Sequence, residues 1–361
     1  MEQLTFGVEE EFLLVDPVTR EPVPAAGPVL GRAALAPFRS PGAEFNPELL
    51  ATQVEAATGV CTQLPVLRRQ LRAGRLLLAA AATEESLRLV SAGTPVLPGS
   101  SRTFSAGPRF ARIAEMYANV VEDYQACGCH VHVGVADRDT AVAVVNHLRP
   151  WLPTLLALSA NSPFDRGHDS GYTSWRVMKQ AKFPGSGIPP WFASFADYEK
   201  RLDRLVEVGM LVDQNMTFWL ARPSHHLPTV EVRTADAAAR VDDAVLQAAL
   251  TRALVRAALA DLDEGREAYA ANDQICAAAL WSAARYGLDG PGVDTVTEHR
   301  LPARELVESL LARARPGLEE VGDLAEVQRL IALPNGASRQ RQAALKGPQG
   351  VVDMLIKQTV R

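Results

Sequence analysis

The sequence predicts an α+β fold, an antiparallel sheet with helices packed on one face. Two observations carry that reading. Short alternating stretches occur early and in the middle of the chain, with helical patterns between and after them. The two kinds of element do not alternate strictly, which counts against a (β/α)8 barrel or a Rossmann arrangement.

Residues 4–15 read as the first strand, closed by the turn signal Asp16-Pro17. A second short strand covers 53–58 and stops at Gly59. Helical spacing runs over 65–90, where Leu67, Leu71, Leu78 and Leu87 stand among Ala and Arg. A Gly/Pro/Ser-rich loop spans 91–108. Residues 110–124 are again helical in spacing, Gly128 opens a strand reaching 135, and Asp137 starts a helical region ending near Ser159. Residues 161–191 carry Gly167, Gly171, Gly185 and Gly187 with Pro163, Pro184, Pro189 and Pro190. A structureless stretch of about 30 residues inside a compact domain reads as a functional loop. Its Tyr172, Trp175, Met178, Phe183 and Trp191 either close over a site or merely anchor the loop. Residues 196–218 read as helix and 228–234 as strand. From about 236 the chain is mostly Ala, Leu, Arg and Glu, broken at 287–292, Pro316 and Pro334, and reads as several helices.

Composition excludes several classes. The 361 residues suffice for two domains of about 150 residues or for one large one. With 47% hydrophobic and 22% charged residues the chain is globular, not disordered. A net charge of −5 argues against a nucleic-acid partner, which demands a clustered basic face. The four cysteines, Cys61, Cys127, Cys129 and Cys276, form neither a disulfide scaffold nor a zinc-finger spacing, so a reducing, cytoplasmic compartment is expected. No basic segment precedes an apolar run at the N-terminus, so no secretory signal is expected. The most apolar region, 141–160, is interrupted by His147, Arg149, Pro150 and Pro153, so no membrane span or membrane partner is expected either.

Residues two apart on a strand share a face. Glu9 and Glu11 therefore lie together, opposite Val8, Glu10 and Phe12. Gln53 and Glu55 oppose Val54 and Ala56. His130 and His132 oppose Val131 and Val133, and Thr229, Glu231 and Arg233 oppose Val230 and Val232. A solvated sheet face is normally rich in Thr, Lys and Ser. This one gathers four carboxylates and two imidazoles without a lysine, and such carboxylates repel one another unless cations sit among them. Hard oxygen ligands suit Mg²⁺ or Mn²⁺ better than zinc. Arg176, Arg222 and Arg233 lie in or beside these elements, and guanidinium forks bind phosphate or carboxylate bidentately. Carboxylate-held cations with arginine clamps are the machinery of phosphoryl transfer. No Walker A sequence is present, so a nucleotide would lie on the sheet.

The motifs resemble those of type 2 glutamate–cysteine ligases, and most closely the bacterial carboxylate–amine ligases. The resemblance is carried by Phe6-Gly7-Val8-Glu9-Glu10-Glu11-Phe12, Phe45-Asn46-Pro47-Glu48, Gln53-Val54-Glu55 and Gly128-Cys129-His130-Val131-His132-Val133. It continues through Ser159-Ala160-Asn161-Ser162-Pro163, Gly171-Tyr172-Thr173-Ser174-Trp175-Arg176 and Thr229-Val230-Glu231-Val232-Arg233. Arg285-Tyr286-Gly287-Leu288-Asp289-Gly290 and Asn335-Gly336-Ala337-Ser338-Arg339-Gln340-Arg341 complete it. The resemblance implies a glutamine-synthetase-like catalytic domain whose curved antiparallel sheet holds ATP and two or three Mg²⁺ ions. It implies that ATP phosphorylates a glutamate carboxylate and that the amine of cysteine displaces the phosphate. By position, Glu9, Glu11, Glu48, Glu55, His130 and Glu231 would form the metal shell. Arg233, Arg176, Arg339, Arg341 and His132 would meet the nucleotide, with Arg233, Arg176 and Glu55 in catalytic roles. Tyr172, Ser174 and Arg222 would touch the small-molecule substrates. Because the motifs run end to end, one catalytic unit over 1–361 is expected, and its Ala/Leu-rich C-terminal helices offer a surface for self-association.

Two positions depart from the family pattern. Leu220 stands where an Asp follows Trp219, and Pro334 replaces a glycine before Asn335. Two other readings stay open. A ligase-like scaffold without catalysis would bind ATP or an amino acid, and His130-x-His132 also resembles the metal pair of amidohydrolases. His147, His168 and His299 read as surface or packing residues, His225-His226 sits in a Pro-flanked loop, and Cys127 and Cys129 read as buried structural thiols.

Overall fold

The computed structural model describes residues 3–36, 40–99 and 103–361. The readings made for residues 1–2 and for 100–102 of the first loop fall outside these. Among the described residues seven strands form one antiparallel sheet: β1 (Phe6–Val15), β2 (Glu44–Pro47), β3 (Gln53–Ala57), β4 (Arg88–Val90), β5 (Gly128–Gly134), β6 (Ala221–Pro223) and β7 (Thr229–Asp236). Their order is β6-β7-β5-β1-β3-β2, with β4 paired to the far end of β1. β1 is therefore central, flanked by β3 and β5.

One face of the sheet is apolar because alternate residues are. Phe6, Val8, Val131, Val133, Val230 and Val232 pack with Val145 and Leu148 of the Arg138–Leu148 helix, Leu152 and Leu155 of the Leu152–Ser159 helix, and Val245 of the Val241–Asp263 helix. Phe12, Leu14 and Val54 pack separately on Leu78 of the Leu64–Glu84 helix and on Val29. The Val241–Asp263 helix is buried without interruption from Ala244 to Val255. That explains a tail rich in Ala and Leu with no polar stripe, as expected for a helix hydrophobic all round. Among the described residues no helix is long and apolar enough to cross a membrane. All four cysteines are buried and unpaired with one another.

Glu10 sits on the apolar face yet is charged. It is 1% exposed and accepts from Arg75 Nε at 3.0 Å and Nη2 at 2.5 Å. Arg75, equally buried, also donates to the carbonyls of Ala238, Ala239 and Thr359. One guanidinium thus ties the central strand to the end of β7 and to the C-terminal helix, and holds Glu9 and Glu11 on the opposite face.

Several segments differ from the sequence expectations. The helix expected to 90 ends at Glu84, because Ser86 adopts a left-handed φ of 59° that turns the chain into β4. The 110–124 helix is two, Pro108–Tyr117 and Asn119–Glu122, split at Ala118 with φ 44°. The helical reading of 196–218 holds only for Phe195–Glu207; a 3-10 turn at Gln214–Met216 and a short strand at Phe218–Trp219 follow. Pro316 does not break the chain but lies inside the Ala303–Glu320 helix. There the packing of Leu310, Ala314 and Leu318 into the main core outweighs one missing backbone donor.

The 161–191 stretch is not structureless. It holds a two-residue hairpin (Phe164–Asp165 with His168–Asp169), the Trp175–Gln180 helix and a parallel pairing of Ser186–Gly187 with Phe218–Trp219. Burial explains the order. Asp236, wholly buried, accepts from Asn161 N at 2.8 Å, Ser162 Oγ at 2.7 Å and Ser174 Oγ at 2.8 Å, and so draws the segment onto the end of β7. Its aromatics divide. Phe183 packs on Tyr124 and Phe218, while Tyr172 packs at a tilt against Trp175 and edge-on against Trp281.

Candidate active site

Register brings the polar face together. Glu9 lies opposite His130, Glu11 opposite Glu55, and Asn46 opposite Glu55; Glu231 lies opposite His132 and Arg222 opposite Glu231. Among the described residues three groups result in which every ligand atom lies within 4.8 Å of the others: Glu9, His132 and Glu231; Glu9, Glu55 and His130; Glu11, Glu48 and Glu55. Glu9 and Glu55 each belong to two groups, so the three form a chain across the sheet. Glu9 Oε1 stands 3.3 Å from His132 Nε2 and its Oε2 3.4 Å from His130 Nδ1, while His130 Nε2 lies 3.4 Å from Glu11 Oε1. Asn46 Nδ2 donates to Glu55 Oε1 at 3.1 Å. Glu48 follows β2 directly, in the turn that feeds β3.

The electrostatics divide along that chain. Burial raises the Glu9 carboxyl, but the imidazoles of His130 and His132 beside it outweigh that and hold the group far below the usual range. Burial likewise raises Glu231, and Arg222 and Arg233 overcome it. At the other end there is no such relief. Burial and then Glu11 push Glu48 up to about 8. Burial followed by Glu48, Glu9 and Glu11 raises Glu55 well above its ordinary value. Burial and Arg233 lower His130, so it stands neutral, a ligand form.

Three arginines edge the carboxylates. Arg233 pairs with Glu231 and approaches His130 Nδ1 at 3.4 Å. Arg222 donates from Nε to Glu231 Oε2 at 2.7 Å and from Nη1 to the carbonyls of Asn215 and Thr217. Its fork is spent on the protein, so the structure gives it a positioning place between a metal-type ligand and the 213–218 turn. Arg176 is 1% exposed and donates to the carbonyls of Arg233 and Thr234 at 3.2 and 3.5 Å. Those carbonyls are available because β7 bulges between Val232 and Ala235 and drops out of register with β5. A Cβ at Gly128 would stand 2.6 Å from Arg176 Nη2 and 2.7 Å from His130 Nε2, so only glycine lets both side chains reach the site.

Four residues expected at the site are placed elsewhere. Arg339 is paired with Asp243 and donates to Gln358 Oε1 at 3.0 Å. Arg341 forms a bidentate pair with Asp169 and donates to the Tyr172 carbonyl at 2.8 Å. Tyr172 packs at a tilt against Trp175, with Arg285 over its ring. Ser174 caps the Trp175–Gln180 helix and donates to Asp236. Each is engaged by a partner acquired on folding, which motif position does not reveal. Leu220 points into the core, 1% exposed, so this departure does not touch the polar face. The open antiparallel sheet also removes the barrel context that an amidohydrolase reading of His130 and His132 requires.

Sequence reasoning missed a cavity of about 130 Å³ beside Glu11, Glu48 and His130. Arg176 and Arg233 line it together with Tyr124, Gln180, Phe110, Met216 and Phe218. Arg109 stands at its edge in a bidentate pair with Asp213 at 2.7 and 3.1 Å. No local spacing signals Tyr124 or Gln180, since the two come from separate elements.

A profile of glutamate-cysteine ligase family 2 matches residues 5–351. The chain belongs to that family. A relative from Saccharopolyspora erythraea bearing the provisional name glutamate–cysteine ligase 2-2 is 56% identical over 361 residues, covering 99% of this chain and 92% of its own. A Salinispora tropica relative, provisionally named glutamate–cysteine ligase 2, is 42% identical over 346 residues, with 95% and 90% covered. Among solved structures, glutamate–cysteine ligase from Francisella tularensis in complex with AMP superposes with a TM-score of 0.74 at 13% identity, over 100% of this chain and 89% of that one. A bifunctional glutathione synthetase from Pasteurella multocida gives 0.63 at 15% identity, over 98% and 50%. These likenesses establish the glutamine-synthetase-like fold of this family member.

Proposed function

We propose that the protein is an ATP- and Mg²⁺-dependent carboxylate–amine ligase, a single catalytic unit that joins glutamate to cysteine as γ-glutamylcysteine. The observation that carries this is the chain of three ligand groups sharing Glu9 and Glu55, with Arg233 and Arg176 at its edge. The residues fit divalent cations. The ring nitrogens His130 Nε2 and His132 Nε2 are buried without a hydrogen-bond partner, and Glu48 and Glu55 are crowded beyond what bare carboxylates tolerate. Glu9, Glu11, Glu48, Glu55, His130, His132 and Glu231 would hold the ions, which when bound neutralise phosphate oxygens.

In the proposed reaction a γ-carboxylate oxygen of glutamate attacks the terminal phosphorus of ATP, and the bond to ADP breaks. The amine then attacks the acyl carbon of the resulting acyl phosphate, phosphate leaves with the electron pair, and the amine loses a proton to solvent or phosphate. Arg233 would stabilise charge on the transferring group, and Arg176, anchored by the bulge carbonyls, would bind the carboxylate or phosphate beside it. The AMP complex of the Francisella tularensis ligase supports a nucleotide on this fold. The test is ADP release with glutamate and a panel of amines, followed by product mass. ADP and γ-glutamylcysteine are expected from cysteine. Nucleotide binding without turnover on any amine would leave only a non-catalytic ligand-binding scaffold.

Two further outcomes follow from the geometry. Arg233→Lys keeps a charge but loses the fork, so kcat is expected to fall by ~10²-fold while KM for ATP moves little. Equal kinetics in the two proteins would remove Arg233 from the reaction. Mg²⁺ binding near pH 7 should release protons, because Glu48 at about 8 is still protonated there and must ionise to bind. The release should shrink above pH 9. For the cation-free protein, a carboxyl raised from 4.5 to about 8 supplies stability below pH 4.5 that is lost as pH rises through 8. Calorimetry in buffers of different ionisation enthalpy measures the release, and proton-neutral binding at pH 7 would contradict it.

A further inference from the structure

The two imidazoles of the polar face differ in what their ring nitrogens meet. His130 turns both toward ligand carboxylates, Nδ1 to Glu9 Oε2 and Nε2 to Glu11 Oε1, each at 3.4 Å. His132 turns only one. Its Nε2 lies 3.3 Å from Glu9 Oε1, inside the group formed by Glu9, His132 and Glu231. Its Nδ1 stands 2.9 Å from the hydroxyl oxygen of Thr229, a neutral side chain outside that group.

Register puts the hydroxyl there. Glu231 lies opposite His132 and Thr229 opposite Gly134, so Thr229 is the diagonal neighbour of His132 on the same face. The Thr229 backbone is tied on both sides of the β6–β7 turn. Its N–H donates to the Leu227 carbonyl at 2.8 Å, and its carbonyl accepts from the Ser224 N–H at 2.9 Å. The β-branched side chain has few rotamers, so the strand pairing fixes where the oxygen stands.

A neutral imidazole carries one proton, and a cation needs the lone pair of the nitrogen it meets. For Nε2 to be the ligand, the proton must sit on Nδ1 and find an acceptor. His132 is buried, so a missing acceptor would leave that N–H unpaired or move the proton to Nε2, where it blocks the ion.

We infer that Thr229 is a positioning residue for the cation site of Glu9, His132 and Glu231: it accepts from His132 Nδ1–H and keeps the Nε2 lone pair turned to the ion. The inference rests on the cation-dependent ligase reading and deepens it, giving one of the three ligand groups a support of its own.

Mn²⁺ binding to the full chain, followed by calorimetry, reads that support. Thr229→Val keeps the branched shape and removes the oxygen. It is expected to weaken one class of Mn²⁺ site about 10- to 100-fold and to leave the others unchanged. Thr229→Ser, which returns the oxygen, should restore the affinity. A purely structural role would weaken every site or none. Ring-nitrogen NMR of the unmodified, Mg²⁺-saturated protein carries the test if the valine variant does not fold. It is expected to show His132 protonated on Nδ1, its signal identified by its loss in His132→Gln. Unchanged Mn²⁺ affinity in Thr229→Val, equal weakening of all sites, no recovery in Thr229→Ser, a proton on Nε2 in the Mg²⁺-saturated protein, or no Mn²⁺ binding by the unmodified protein would overturn the inference. ADP release with glutamate and amines is assayed in parallel. If no ADP forms while the valine and serine pattern holds, the ligase reading fails and the Thr229 assignment stands. ADP formation without that pattern does the reverse.

Discussion

Glu55→Gln is expected to remove cation-dependent ADP formation by roughly 10²–10³-fold or more while raising the stability of the cation-free protein by about 1 kcal/mol. The two effects share one cause. Glu55 belongs to two of the three ligand groups and faces Glu48, Glu9 and Glu11 from a buried position. A neutral isostere relieves that repulsion but cannot bridge two cations. Asn46, which donates to Glu55 Oε1 at 3.1 Å, still finds an amide oxygen in the variant, so local packing survives. Urea unfolding with and without Mg²⁺ reads the stability, and ADP release reads the activity. A variant that keeps a tenth of the rate, or that Mg²⁺ stabilises as much as the original protein, would show that Glu55 holds no ion.

The largest effect on folding is expected from Arg75→Met, at about 3–5 kcal/mol of lost stability. The substitution leaves Glu10 buried without its guanidinium and removes the donor to the Ala238, Ala239 and Thr359 carbonyls. Glu10→Leu added to Arg75→Met should recover only part of the loss, because it cures the stranded charge but not the carbonyls. Chemical denaturation of the three variants provides the comparison. A single variant within 1 kcal/mol of the original, on the scale of ordinary surface changes, would mean that the pair contributes little.

The ligand face was legible in the sequence because it depends only on two-residue alternation along four strands. Glu9, Glu11, Glu55, His130, His132 and Glu231 duly meet once β1, β3, β5 and β7 pair in register. The short strands β2, β4 and β6, of four, three and three residues, carry too few positions to show a period. Glu10 looked like an exception among Val8 and Phe12, and nothing nearby announces Arg75 as its partner. Arg339 and Arg341 share a motif with residues of the family, yet Asp243 of the Val241–Asp263 helix and Asp169 of the short hairpin engage them instead. Gln180 and Tyr124 were illegible for the converse reason: they meet at one cavity from separate, distant segments. Alternation itself failed at one place. Beyond the bulge Ala235 turns into the core, and Asp236, opposite Gly128, turns to the polar side.

That bulge bears on how the chain can change over generations. Substitutions at the polar face alter one ligand at a time and can be compensated singly. Losing a single residue between Val232 and Ala235 would instead reverse the facing of everything after it. Asp236 would swing toward the apolar layer, the 161–176 segment would lose its anchor, and Arg176 would lose the carbonyls that aim it. In this stretch composition is open to drift, whereas length is effectively frozen.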